Sequence, residues 1–219
     1  MATTEASMQS YYAARAPEYD SVYRKQERQP DLRSIEGWLP PRFTGETVLE
    51  IACGTGYWTQ FIAPSAACIV AVDSAPETIR IAKERVPEGI VQFVVGDAYA
   101  LPVHLGEFSA AFAGFWFSHV PKARRLEFLL GLGKLLKPES KVSLLDNHYV
   151  EGSSSPIAEQ DSEGNTYQTR VLTDGSMHRV LKNFPSEAEL QASIVGLGES
   201  GTFTRWSYFW AFEYVAIKP

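Results

Sequence analysis

The run Thr47-Val48-Leu49-Glu50-Ile51-Ala52 closes on Cys53-Gly54-Thr55-Gly56, and a helix-compatible stretch then extends from Tyr57 to Ala63 until Pro64 stops it. A short apolar, partly β-branched strand that feeds a glycine turn and then a helix is the opening unit of a parallel sheet, because parallel neighbours need a crossover between them. The glycines also allow a ligand to approach the backbone with no Cβ in the way. This one unit restricts the chain to α/β architectures.

The remaining elements follow the same rhythm. Leu32, Ile35, Trp38 and Leu39 lie at helical spacing within Pro30 to Leu39, and Pro40-Pro41 ends that helix. Ile69 to Val72 reads as a second strand, and Ser74-Ala75-Pro76-Glu77 carries the spacing of a capping box for a helix running to about Val86. Val91 to Val95 and Ser109 to Phe117 are the third and fourth strands. Leu126, Leu129, Leu130, Gly133 and Leu136 mark a helical face with Lys137 in its last turn and Pro138 beyond. Val142 to Leu145 is a fifth strand, Ser186 and Glu189 form a second capping box, and the aromatic tail from Phe203 to Ile217 supplies the last one or two strands. Strand and helix alternating in this way predict a doubly wound, mostly parallel seven-stranded sheet with helices on both faces.

Length and composition bound the rest. The 219 residues, 45% hydrophobic, suffice for one sizeable core and are read as a single domain over 1–219. Within it, 1–29 is a candidate N-terminal cover segment and 150–185 a candidate lid insertion, longer than the fold requires. The lid's second half, TYQTRVLTDGSMHRVL, reads as a hairpin turning at Asp174-Gly175. A formal charge of -6 with scattered basic residues argues against nucleic acid as partner. No stretch is apolar enough for a membrane span, and two cysteines without metal-ligand spacing suit a reducing cytoplasm, so a cytoplasmic chain that binds no metal is expected. Oligomeric state is left open.

Ligands of such sheets bind beyond the carboxyl ends of the strands. Asp73, after the second strand, stands close to the ~20 residues beyond the glycine turn at which a carboxylate accepts hydrogen bonds from ribose. A dinucleotide fingerprint would need a third glycine where Thr59 stands, preceded by the bulky Trp58. VLEIACGTG, then AVDSAPE, then VVGDAYALP, each in register with a predicted strand, resemble the motif series of the class I S-adenosylmethionine-dependent methyltransferases. The resemblance covers roughly Tyr11 to Asp146. It implies S-adenosylmethionine as cofactor, with Glu50 orienting the turn or the methionine amino group and Ala52, Gly54 and Gly56 offering close backbone surface. It further implies Asp73, with Ser74 beside it, on the ribose, Asp97 and Ala98 on the adenine, and Phe115 and Trp116 walling the sulfonium. Tyr12, Arg15 and Tyr19 resemble the aromatic segment that closes over the cofactor in many small-molecule members.

The acceptor is expected to be a small molecule attacking through N, O or S. Two histidines qualify by position as catalytic groups: His119 after the fourth strand and His148 after the fifth. A histidine base would make the rate rise through about pH 6–7. His104 lies in a turn and His178 in the lid. The Asn/Asp-Pro-Pro-aromatic turn of the amide and nucleobase methyltransferases is replaced by Ala113-Gly114-Phe115-Trp116. A nicotinamide-dependent oxidoreductase, a non-catalytic cofactor-binding partner, and a methyltransferase of protein or RNA are the competing readings.

Overall fold

The computed structural model of the chain describes residues 11, 12, 14–86, 89–101 and 106–217. Residues 1–10 of the cover segment and His104 lie outside the described residues. Five parallel strands, β1 (Thr47–Ile51), β2 (Cys68–Asp73), β3 (Val91–Val95), β4 (Phe108–Gly114) and β5 (Leu136–Asn147), form one sheet with the later strands β9 (Gly198–Arg205) and β10 (Phe209–Ala216). The order is β3-β2-β1-β4-β5-β10-β9, and β10 runs antiparallel to both of its neighbours. The seven-stranded, mostly parallel sheet is the one expected.

Strand alternation divides the core. Leu49, Ile51 and Val72 point to one face with Phe128, Leu129 and Trp210, whereas Val48, Ala71 and Phe112 point to the other with Leu32, Ile35 and Ile62. Helix α1 (Gln29–Trp38) and the short α2 (Thr59–Ile62) cover the second face, while α4 (Arg125–Gly133) and α5 (Glu187–Ser193) cover the first. Helix α3 (Pro76–Arg85) spans the β2–β3 crossover. At the capped end of α5, Ser186 and Glu189 satisfy each other's backbone N–H groups, as their spacing implies.

Three local readings change. The N-cap position of α3 is Ala75 instead of Ser74, and the Asp73 carboxylate accepts from Ala75 N at 2.9 Å and from Thr78 Oγ1 at 3.1 Å, so the strand-end acid serves the start of the helix. The helix with the apolar leucine face ends at Gly133, and Leu136 already pairs with Phe108, which puts Lys137 and Pro138 in β5. Gly131 and Gly133 each weaken the last turn by ~1 kcal/mol relative to alanine, and the ladder claims the residues that follow. The fourth strand stops at Gly114, because Phe115 adopts φ +57° and Phe117–His119 then form a 3-10 turn.

The connection after β5 carries β6 (Glu159–Gln160), β7 (Thr166–Val171) and β8 (Met177–Leu181) as a separate antiparallel sheet. Its β7–β8 arms pair Thr169 with Arg179 and Val171 with Met177. The N-terminal residues 16–24 coil as a 3-10 helix between this sheet and the glycine turn. Glu18 Oε1 accepts from Thr173 N of the β7–β8 turn at 3.1 Å, and Asp20 accepts from Thr55 Oγ1 at 2.6 Å while ion-pairing with Arg85. Tyr23 lies flat on Tyr57 with centroids 3.6 Å apart.

Candidate active site

The order of the sheet reverses between β1 and β4, and such a reversal opens a crevice at the carboxyl ends. Ala52 ends β1 at φ +54° and Phe115 ends β4 at φ +57°. A left-handed backbone costs a residue with a Cβ about 1–2 kcal/mol, and two such residues line this crevice. The cleft is lined by Tyr12, Tyr19, Ala52, Asp73, Ser74, Thr78, Asp97, Ala98, Phe115, Trp116 and His119, and encloses about 610 Å³, part of it open to solvent.

Its charged groups are held from the backbone. Asp73 Oδ2 accepts from Gly54 N at 2.8 Å, which pins the glycine turn to the end of β2. Burial raises the Asp73 carboxyl above its ordinary value, and the N–H groups of Ala75 and Gly54 pull it back. Asp97 is exposed at the rim, with Oδ1 accepting from Tyr99 N at 2.9 Å. Gly54, at φ +55°, needs its missing Cβ for a second reason: a methyl there would lie 3.1 Å from the Tyr19 ring.

Four residues singled out in the sequence stand apart from the cleft lining, the first being Gly54, which the Tyr19 ring covers. Gly56 packs on α3, where an added Cβ would meet Ala82 Cβ at 3.0 Å, so it serves helix contact. Glu50 is 1% exposed beneath the turn, and burial pushes its carboxyl up to about 8, so it carries a proton at neutral pH. His148 lies toward β10 and β9: its backbone N donates to Tyr208 O at 2.8 Å and its ring meets Phe203 at 6.2 Å.

His119, by contrast, sits at the centre. Its Nδ1 is 2.6 Å from Leu181 O, and since a carbonyl only accepts, Nδ1 bears the proton. Nε2 then accepts from the Tyr12 hydroxyl at 2.9 Å. Burial, then the charges of Lys182 and Arg170, hold the imidazole well below its ordinary pKa. Tyr12, Tyr19, Phe115 and His119 also line a second chamber behind the cleft, together with Arg15, Asn147, Arg170 and Lys182. Lys182 Nζ lies 2.7 Å from Asp146 Oδ1 and 2.6 Å from Ser118 Oγ, all buried. Neither Arg170 nor Lys182 stood out in the sequence. A buried Asp146 at the end of an apolar strand was the one signal that a cation must come from elsewhere in the chain.

Residues 48–139 match the family model described as a methyltransferase domain. A solved protein, DhpI, superposes on the chain with TM-scores of 0.80 in its complex with SAH and 0.79 in its complex with SAM and HEP. Identity is 27% and 29%, with 98% of this chain covered in both and 97% and 98% of DhpI. Residues 48–139 thus carry a methyltransferase domain, and the chain has the class I fold of the S-adenosylmethionine-dependent methyltransferases. Among curated sequences, the chain is 32% identical over 104 residues to an uncharacterized methyltransferase of Synechocystis sp., covering 48% of each. It is 28% identical over 113 residues to the demethylmenaquinone methyltransferase of Lactococcus lactis, covering 48% of this chain and 44% of that protein. It thus spans about half the length of these curated relatives.

The cleft suits the family's cofactor on its own evidence. Trp116 lines the cleft, and its buried indole N–H has no hydrogen-bond partner among the described residues. The left-handed Ala52, whose side chain is a single methyl group, lines the cleft beside Asp73 and leaves room there for a ligand.

Proposed function

We propose that the chain transfers a methyl group from S-adenosylmethionine to a small-molecule acceptor. When bound, the cofactor supplies an electrophilic methyl carbon on a sulfonium. The observation that carries the reading is the pair of connected spaces sharing Tyr12, Tyr19, Phe115 and His119 as their common wall, one at the β1–β2–β3 edge and one beneath the lid. Asp73 would hold the ribose hydroxyls, Asp97 and Ala98 the adenine, and the rings of Phe115 and Trp116 the cationic centre, an attraction of ~0.5–2 kcal/mol. The acceptor would enter the second space, under cover and lid.

The wall residues align and exclude water, which is most of what an in-line displacement asks of a protein. The chamber measures about 350 Å³, part of it open to solvent, which fits a metabolite and not a folded macromolecule. Free thiols at Cys53 and Cys68 accord with a reducing cytoplasm as the place of action. Among the described residues no helix is long and apolar enough to cross a membrane.

The test is calorimetry with S-adenosylhomocysteine, followed by deletion of 154–179 across a short glycine linker. Binding of the cofactor product is expected in both proteins, and loss of small-molecule methylation only in the deletion. No binding by the intact chain, or efficient methylation of intact protein or RNA, would overturn the reading.

A further inference from the structure

The second chamber is unusual in its charge. Arg15 comes from the cover and Arg170 from β7 of the lid, and both guanidiniums flank the Tyr11 ring, at 5.8 and 6.0 Å from its centroid. Both also lower the proton affinity of His119 and of Lys182, so the three cations converge on one space. Lys182 is matched by Asp146. Among the described residues, Arg15 and Arg170 form no ion pair: Arg15 donates to Tyr19 O at 3.5 Å, and Arg170 to Gln168 Oε1 at 3.0 Å.

The chamber widens outward into a mouth lined by the same two arginines together with Lys25, Arg28, Glu18 and Asn147. Lys25 and Arg28 are turned onto Ser153 of the lid, and Ser153 Oγ donates to Glu27 at 2.8 Å. Glu18, the acid of the mouth, is taken up by Thr173. A protein whose formal charge is -6 thus keeps an excess of positive charge along the mouth of this chamber. Partly desolvated guanidiniums without a carboxylate are costly to maintain, and the planar donors of arginine match an oxyanion in pairs.

We infer that this chamber takes an acceptor bearing an oxyanion, either a carboxylate or a phosphorus oxyacid, held between Arg15 of the cover and Arg170 of the lid. The inference rests on the methyltransferase reading and names the acceptor's chemical class. Because the two arginines belong to separate segments, an anion between them also draws cover and lid together. The acceptor's charge is steered in by the basic mouth and then completes the roof above itself.

The test uses the full chain saturated with S-adenosylhomocysteine. Inorganic phosphate, glycolate, glycolamide and ethylene glycol are titrated by calorimetry at constant ionic strength set with sodium chloride. Either phosphate or glycolate is expected to bind at least tenfold more tightly than the neutral compounds, and the preferred anion tells phosphorus oxyacid from carboxylate. R170Q and R15Q should each weaken that anion at least tenfold, and R170K should restore only part of it. Affinity for S-adenosylhomocysteine should stay within threefold in R170Q, which also reports that the variant is folded. Equal binding of the neutral compounds, failure of both anions to bind, or unchanged anion affinity in both arginine variants would overturn the inference. If S-adenosylhomocysteine itself fails to bind, the methyltransferase reading falls, and the same titrations on the unloaded chain decide the anion site separately.

Discussion

The Tyr12 hydroxyl stands 2.9 Å from His119 Nε2, and this bond joins the cover segment to the carboxyl edge of β4. With Nδ1 fixed on Leu181 O, the imidazole is a neutral acceptor toward Tyr12, whose own hydroxyl is pushed up to about 12, chiefly by burial. His119 therefore stays unprotonated across the neutral range. The rate rise through pH 6–7 expected of an ordinary histidine base should be missing from the His119-dependent part of the profile. A kcat profile measured for wild type and H119N should show no inflection near pH 6.5 that the variant removes.

The same group makes stability depend on pH. The unfolded chain takes up a proton at about 6.5, whereas the folded imidazole resists it, so unfolding binds a proton below that value. The His119 contribution is complete above about pH 6.5 and is lost progressively as the pH falls below it. Urea midpoints from pH 7.5 to 5.5 should drop more steeply for wild type than for H119N.

Asp73 gathers Gly54 N, Ala75 N and Thr78 Oγ1 on one carboxylate. Replacing it with alanine strands two backbone donors and removes the candidate ribose acceptor. D73A should lose about 1–3 kcal/mol of stability and at least tenfold in S-adenosylhomocysteine affinity, read by denaturation and calorimetry. Unchanged affinity in the folded variant would remove Asp73 from the cofactor site.

Gly54 meets Tyr19 so closely that G54A must either displace the tyrosine or strain the turn. About 1–2 kcal/mol of backbone cost adds to the lost contact. Hydrogen exchange over 14–24 should accelerate in G54A, and the protection that S-adenosylhomocysteine confers there on the wild type should shrink.

Lys182 and Asp146 are both buried, at 3% and 0% exposure, so removing one leaves the other's charge without a partner. K182M should destabilise by about 3–5 kcal/mol, and adding D146L should recover a large part of it. Chemical denaturation of the three proteins checks this, with equal losses in single and double variants counting against a coupled pair.

The parallel part of the sheet and its crossovers were legible because its strands are apolar runs with a Gly or Asp at or within three residues of the carboxyl end. Ala52, Asp73, Asp97 and Trp116 follow those runs directly, and the cleft collects them. Less legible was which way a residue turns once the strand has ended. Gly54 and Gly56 look alike in the sequence, yet one faces Tyr19 and the other Ala82. His119 and His148 occupy equivalent places after adjacent strands, but the left-handed Phe115 swings one under the cover while β10 holds the other by its backbone. Arg170 and Lys182 were hidden because their meaning depends on contacts between lid and cover, which no local periodicity encodes.

Asp20 binds the hydroxyl of Thr55 in the glycine turn, and the segment that carries Asp20 also carries Tyr12 and Tyr19, which wall both spaces. One short stretch of chain therefore closes two doors. On the proposed reading, the cofactor is seated before that stretch settles, and the spent cofactor waits for it to lift. Turnover should accordingly be sequential, with the cofactor adding first and its product leaving last, and that product should inhibit in direct competition with the incoming cofactor.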